Sequence, residues 1–208
     1  MKKLFCILLA VSTLFLAACS PKEAEGPEKT EETKETTVSK LPFEGALSLW
    51  MENEDGTWRT DLELKPDGTF TGAFHDTNGG GAGIAGEDTP YAGMEYENTL
   101  LMSSFSGKFT DFVKKDETTF RITLSKLTLN EPLGTQWFDD GQYFVRYVST
   151  APYSLTEGQT YTFYTPDVPV GNLDEEFRLW QRPRSDAPTL GEYGLCNNTT
   201  KEGFFGFQ

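Results

Sequence analysis

The stretch from Trp58 to His75 constrains the fold most strongly, because it has the pattern of two strands that meet at a tight turn. Apolar and polar side chains alternate along both halves, as the two-residue period of a half-buried strand requires. Between them, Pro66-Asp67-Gly68 supplies a preset φ, a side chain that bonds to nearby backbone, and tolerance of positive φ. We therefore predict an antiparallel hairpin whose apolar face contains Leu62, Leu64, Phe70 and Phe74.

The rest of the chain must supply further strands, because a single hairpin is only marginally stable in water. Alternation and turn residues predict strands at 45–51, around 100–112, and at 118–129, 142–148, 160–164, 189–196 and 203–207. With the hairpin this makes roughly eight to ten strands, which is typical of an antiparallel barrel or sandwich. We predict a mainly β protein with an antiparallel β-barrel, and a sandwich is the second choice.

Irregular positions within the predicted strands favour the barrel. Phe112 is out of phase with Phe109, which predicts a bulge at 110–111, and the strand at 118–129 changes phase at 125–126. Gly72 and Gly107 fall at inward positions, where glycine is typical of the corners of a curling sheet. These features suit long strands that bend around a closed sheet.

One short helix is predicted in the second half of the chain. Asn172 is a suitable N-cap residue, and Glu175 stands three residues later, as in a capping box. Phe177 and Trp180 fall on one face, and Pro183 ends the helical pattern.

The N-terminus has the organisation of an export signal. Lys2 and Lys3 precede an apolar run over 4–16 that is too short to span a bilayer comfortably. The sequence Leu16-Ala17-Ala18-Cys19 resembles the lipobox of bacterial lipoproteins. The resemblance implies cleavage between Ala18 and Cys19, a diacylglyceryl group on the Cys19 thiol, and a lipid anchor on the extracytoplasmic face of the cell membrane. A plain signal peptide with an incidental cysteine is the alternative.

The composition divides the chain into three parts. Residues 1–18 form the signal peptide, and residues 19–40 combine the lipidated cysteine with an acidic, threonine-rich and proline-containing segment. Apart from Val38 this segment has nothing to bury in a core, so we expect a disordered tether. Residues 41–208 form the β-barrel-like domain.

The net charge limits the partners. The chain has 18 Lys and Arg against 32 Asp and Glu, a formal net charge of −14. A surface of this sign repels nucleic acid and anionic headgroups. We therefore expect no nucleic-acid partner and no membrane contact through a basic patch. The membrane contact is instead the diacylglyceryl anchor that the lipobox resemblance implies. We also expect no cofactor and a monomer.

The second half of the hairpin also carries a resemblance. The sequence Leu64-Lys65-Pro66-Asp67-Gly68, continued by Thr-Phe-Thr-Gly, is similar to the hairpin signature of lipocalin-like lipoprotein domains of Gram-positive bacteria. The resemblance implies a small barrel and little about chemistry.

Two single residues are candidates for reactive groups. His75 is the only histidine, so a histidine general base or triad must use it. Alternation places His75 on the polar face of the hairpin, where we expect it to be solvated. Cys6 is lost with the signal and Cys19 is acylated, so Cys196 remains alone, and a small buried residue is favoured over a nucleophile.

The loop that follows the hairpin partly matches a calcium loop. Asp76, Asn78 and Glu87 occupy liganding positions of that pattern, but Gly80 replaces another ligand and no helical pattern flanks the loop. We therefore favour a flexible glycine loop at 79–86 over a metal site.

Aromatic side chains make up 13% of the chain and concentrate in its second half. Their rings and hydroxyls can line a site for an apolar or glycan ligand, although an ordinary aromatic core explains the same excess and is favoured. The candidate ligand-binding residues are Trp137, Tyr143, Tyr147, Tyr161 and Phe163.

Three functions follow from these observations. The first is a non-enzymatic binding module for a small apolar or glycan ligand, and the second is a protein-interaction or envelope-structural module with a filled core. A carboxylate-based hydrolase is a weak third, because Asp139 and Asp140 are adjacent and better explained by a turn with Gly141. We expect no enzymatic activity.

The lipobox interpretation predicts that the Cys19→Ala protein stays uncleaved or enters the culture medium, because it has no thiol to acylate. Metabolic labelling with palmitate followed by fractionation measures this. The Cys6→Ala protein is the matched control and keeps both label and membrane association. Palmitate in the Cys19→Ala protein contradicts the interpretation.

Overall fold

The computed structural model describes residues 35–139, 144–183 and 186–208, and its main feature is a sheet that closes on itself. The described residues all belong to one unit, Thr33–Gln208. The strands are β1 (Thr36–Thr37), β2 (Leu47–Glu52), β3 (Trp58–Leu64), β4 (Thr69–Asp76), β5 (Gly83–Ile84), β6 (Glu95–Tyr96), β7 (Asn98–Lys114), β8 (Thr119–Leu129), β9 (Gln136–Asp139), β10 (Val145–Ser149), β11 (Thr160–Tyr164), β12 (Tyr193–Asn197) and β13 (Gly203–Phe207). A 3-10 helix covers Val170–Asn172, and helix α1 covers Glu175–Arg178.

Eight antiparallel strands form the barrel. Their order is β4, β3, β2, β13, β12, β11, β8 and β7, and a further pairing of β7 with β4 closes the ring. The predicted barrel is confirmed, and the sandwich is not formed because one continuous sheet surrounds the core.

The predicted hairpin is formed by β3 and β4. Leu62 lies opposite Gly72 and Leu64 lies opposite Phe70, so the apolar residues of both strands share the inner face. At the turn the backbone N–H of Gly68 donates to the Lys65 carbonyl (2.9 Å), and Gly68 has a φ of 83°. The glycine is needed there because this φ lies in the left-handed region.

The pairing of β4 with β7 depends on two reciprocal contacts between glycine and phenylalanine. Gly72 lies opposite Phe105, and Phe70 lies opposite Gly107. A Cβ atom at Gly72 would overlap the Phe105 ring, and one at Gly107 would overlap the Phe70 ring. The two inward glycines therefore make room for two inward rings, whose centroids are 6.4 Å apart.

Both predicted bulges are present between β7 and β8. Lys108 pairs with Lys126 and Phe109 pairs with Leu124, so Ser125 is the extra residue of the first bulge. The second lies between Thr110 and Val113, where Asp111 has a φ of 54°. This bulge returns Phe112 to the core, which explains the change of phase in the sequence.

A short arm extends the sheet beyond the barrel. Strand β10 runs parallel to the first residues of β7, with Val145 opposite Asn98 and Ser149 opposite Met102. Strand β9 pairs antiparallel with β10 on the other side. The strand predicted at 142–148 is therefore observed at Val145–Ser149.

The glycine content of residues 79–86 predicted a loop, but part of this segment is a strand. Gly83 and Ile84 form β5, which pairs with β6. A Cβ atom at Gly83 would overlap the Tyr96 ring, so the glycine lets the two strands approach each other. The pairing of β5 with β6 therefore requires a glycine at position 83.

The predicted helix is shorter and begins later than the sequence indicated. Its N-cap is Asp174, whose Oδ1 accepts the backbone N–H of Glu176 (2.9 Å), and Asn172 instead ends the 3-10 helix. The helix ends at Arg178, before Pro183. Phe177 is buried outside the barrel and stacks on Phe205 with 4.6 Å between ring centroids.

The sheet begins upstream of Leu41, where the sequence predicted the start of the domain. Thr36 and Thr37 pair with Lys114 and Val113 of β7, and Val38 packs against the core. Residues 1–34, which include Cys19 and the predicted signal, lie outside the described part. Among the described residues no helix has the length and apolarity needed to cross a bilayer.

The Phe70→Ala substitution is expected to lower the free energy of unfolding by about 3–5 kcal/mol, because it removes a buried ring and leaves a cavity above Gly107. Chemical denaturation measures the loss. Thr71→Ala, on the exposed face of the same strand, is the control and is expected to change it by less than about 0.5 kcal/mol. An unchanged stability of the Phe70→Ala protein contradicts the proposed packing.

Candidate functional site

The inside of the barrel is occupied by its own side chains. Each of the eight barrel strands contributes at least one large side chain that is fully or almost fully buried there. Examples are Leu49, Leu64, Phe74, Phe105, Phe109, Tyr161, Phe163, Ile122 and Phe204. The interior is therefore a core, and a ligand has to be sought on the outer surface.

Two of the predicted ligand-binding residues belong to this core. Phe163 and Tyr161 have no exposed surface. The Tyr161 hydroxyl donates to the Ser154 carbonyl (2.8 Å) and accepts the Thr156 backbone N–H (3.1 Å). Burial raises the pKa of Tyr161 to about 12. These hydrogen bonds hold the Tyr161 side chain inside the barrel. Burial keeps the rings of both Tyr161 and Phe163 out of reach of a ligand.

Two other predicted residues come together on the arm. Trp137 and Tyr147 lie opposite each other on β9 and β10, and their rings stack with centroids 5.6 Å apart and planes 9° apart. Trp137 is 37% exposed. Tyr143 lies outside the described residues, and so does Asp140 of the predicted turn.

A pocket of about 250 Å³ lies where this arm meets the outer face of β4 and β7. We call it the Trp137 pocket. Its lining residues are Ala73, Phe74, His75, Met102, Ser103, Ser104, Glu131, Trp137 and Ser149. Alternation along β4 and the pairing of His75 with Met102 bring the outward side chains of both strands into one wall.

Hydrogen bonds hold the opposite wall of the pocket in place. Asn130 Nδ2 donates to Ser104 Oγ (2.8 Å), and Ser149 Oγ donates to the Glu131 carbonyl (3.1 Å). The Gly134 backbone N–H donates to the Ser149 carbonyl (2.8 Å). The segment between β8 and β9 is thereby fixed to both β7 and β10.

The Trp137 pocket combines apolar surface with hydrogen-bonding groups. Trp137 and Met102 supply apolar surface, and the Ser104 hydroxyl and the His75 imidazole supply hydrogen-bonding groups. Mostly apolar walls with a few polar groups are typical of small-molecule sites. His75 lies on the outward face, as alternation predicted, and forms part of the wall.

The partial calcium loop uses its first carboxylate for other contacts. Asp76 is buried, its Oδ1 accepts the Asn78 backbone N–H (2.8 Å), and its Oδ2 accepts the Tyr153 hydroxyl (2.9 Å). Within the described residues, which include Asn78 and Glu87, no group of three or more His, Cys, Asp or Glu side chains could hold a metal ion. Asp76 therefore anchors the loop to Tyr153.

Cys196 is a free, buried cysteine on β12, as predicted. Burial raises the pKa of its thiol to about 12. Since the thiolate is the reactive form, this thiol is a poor nucleophile at neutral pH. The residue acts as a small apolar side chain beside Phe205 and Phe177.

Comparison with known proteins identifies no relative. No protein-family model, no curated protein and no solved structure matches the chain.

The Tyr153→Phe substitution tests the anchor on Asp76. It removes the donor to a buried carboxylate oxygen, so we expect the free energy of unfolding to fall by about 1–2 kcal/mol. Denaturation of the Tyr153→Phe, Asp76→Asn and double variants forms a cycle that isolates this hydrogen bond. Additive effects of the two substitutions contradict it.

Proposed function

We propose that this protein is a lipid-anchored, extracytoplasmic lipoprotein whose barrel is a non-enzymatic binding module for a small apolar or glycan ligand. The ligand occupies the Trp137 pocket on the outside of the barrel. The observation that carries the proposal is the combination of a filled interior with an exposed, stacked tryptophan at the edge of a pocket.

The size and walls of the Trp137 pocket support a ligand with one ring-sized group. The volume of about 250 Å³ lies just below the usual range for small-molecule sites, about 300–1,000 Å³. An aromatic face favours both apolar rings and the C–H faces of sugars, while Ser104 and His75 can orient hydroxyl groups. The stacking partner Tyr147 holds Trp137 in one orientation before a ligand arrives.

The anchor rests on the sequence of residues 1–19. A positive head, an apolar run and Leu16-Ala17-Ala18-Cys19 resemble the export signal and lipobox of bacterial lipoproteins. Two acyl chains provide the two signals that stable membrane anchoring needs. The similarity of residues 64–72 to lipocalin-like lipoprotein domains of Gram-positive bacteria supports the same assignment.

The filled core also favours a second candidate, a protein-interaction or envelope-structural module. Such a module needs no cavity, and large apolar side chains such as Leu133, Leu179 and Phe207 are exposed. The carboxylate-based hydrolase has less support, because the buried carboxylates among the described residues, Asp76 and Glu192, contact Tyr153 and Gln181 and not each other.

Native mass spectrometry of the full-length lipoprotein, extracted gently from its own host in a neutral detergent, tests the proposal. We expect a reproducible adduct of small-molecule mass on the wild-type protein. The Trp137→Ala protein is expected to lose this adduct, because the aromatic wall of the pocket is gone.

Met94→Ala is the control, since it removes an exposed apolar side chain that does not line the Trp137 pocket. The adduct is expected to remain on this variant. An adduct that persists in the Trp137→Ala protein contradicts the assigned pocket, and a clean mass of the wild-type protein favours the interaction module.

A further inference from the structure

A second groove, of about 340 Å³, lies on a different part of the barrel surface. Trp50 of β2 and Phe207 of β13 form one side of this groove, and Gln181, Leu190 and Glu192 form the other. We call it the Glu192 groove. It shares no lining residue with the Trp137 pocket.

Two hydrogen-bond acceptors of this groove are buried. The Gln181 and Glu192 residues are only 4% and 7% exposed. Gln181 Nε2 donates to Glu192 Oε1 (2.8 Å) and to the Leu190 carbonyl (3.3 Å), so both amide hydrogens are used. Gln181 Oε1 receives no donor from any residue that the structure describes. A buried acceptor without a donor costs free energy, so a ligand that donates a hydrogen bond to Gln181 Oε1 would be stabilised.

Within the part of the chain that the structure describes, no cationic side chain is paired with the Glu192 carboxylate. Burial raises the pKa of Glu192, and the amide of Gln181 only partly opposes this. Arg182 also lines the groove, but its guanidinium is paired with Glu54 (3.2 Å). No ion pair among the described residues includes Glu192. A buried carboxylate of this kind is stabilised by a cation that also donates hydrogen bonds.

We propose that the Glu192 groove binds a primary ammonium group, with the Glu192 carboxylate and Gln181 Oε1 as its acceptors. An ammonium has three N–H donors, so it can satisfy both atoms and neutralise the carboxylate. Trp50 and Phe207, whose ring centroids are 6.3 Å apart, supply aromatic surface for an apolar stem next to the cation. The net charge of −14 draws cations towards the surface.

The ammonium can belong to a free amine or to a lysine side chain of a partner protein. Both present the same group on an unbranched aliphatic stem. A neutral hydroxyl compound could donate to Gln181 Oε1 as well, but it would leave the charge of Glu192 uncompensated. An experiment therefore has to distinguish binding of a charged ligand from binding of a neutral one.

Titration of the full chain in a neutral detergent with n-butylammonium chloride and with 1-butanol makes this separation, because the two probes differ only in the head group. The readout is the side-chain amide signal of Gln181 in a ¹H–¹⁵N NMR spectrum. We expect a saturable shift with n-butylammonium and binding weaker by about tenfold or more with 1-butanol. Equal binding of the two probes, or no shift with n-butylammonium, overturns the proposal.

Two charge-removing variants control for the general field of the protein. Glu192→Gln keeps the shape of the side chain and is expected to weaken n-butylammonium binding by about tenfold or more. Glu63→Gln removes one charge from the exposed face of β3, outside the groove, and is expected to retain binding. An equal loss in both variants overturns the proposal.

A third variant keeps the test valid where Glu192→Gln fails to fold. Phe207 is exposed, so Phe207→Ala is expected to fold and to weaken binding through loss of contact with the stem. Unchanged binding in this variant overturns the assigned groove. A peptide with a single lysine distinguishes the two sources: tighter binding than n-butylammonium assigns the site to a lysine side chain, and weaker binding assigns it to a free amine.

Discussion

Closure of the barrel depends on two glycine–phenylalanine pairs between β4 and β7, in which each glycine leaves room for the ring opposite it. Phe70 covers Gly107 and Phe105 covers Gly72, and neither ring fits if the opposite residue has a Cβ atom. Because this pairing turns an open sheet into a ring, it also removes two exposed strand edges. The two rings, with Phe109, then fill the space that the closed ring encloses.

The described side chains that point into the closed barrel are packed against one another, so the ligand sites that we propose lie on its outer surface. The arm formed by β9 and β10 creates the Trp137 pocket at one place, and residues 181–183 and 190–192 form a wall of the Glu192 groove at another. The first offers mostly apolar walls, and the second offers buried acceptors. The two surfaces therefore favour ligands of different charge.

The sequence predicted the features that depend on neighbours along the chain. The hairpin, the bulges at Ser125 and near Asp111, and the strand Thr160–Tyr164 follow from alternation and turn residues. It did not predict the parallel pairing of β10 with β7, because that pairing joins distant segments. Trp137 was identified, but its position near His75 and Met102 needs the register between β4 and β7. The burial of Tyr161 and Phe163 likewise depends on closure of the whole sheet.

Strand β7 connects two distant parts of the domain. The chain arrives from the N-terminal side through β1, which pairs with Val113 and Lys114 at the end of β7, whereas the arm and Met102 of the Trp137 pocket lie near its beginning. The eleven steps from Met102 to Val113 correspond to about 35 Å of strand at the usual rise per residue. The pairing of β1 with β7 and the Trp137 pocket therefore lie near opposite ends of one strand. A change at Thr36 or Thr37 would thus leave every lining residue of the pocket in place.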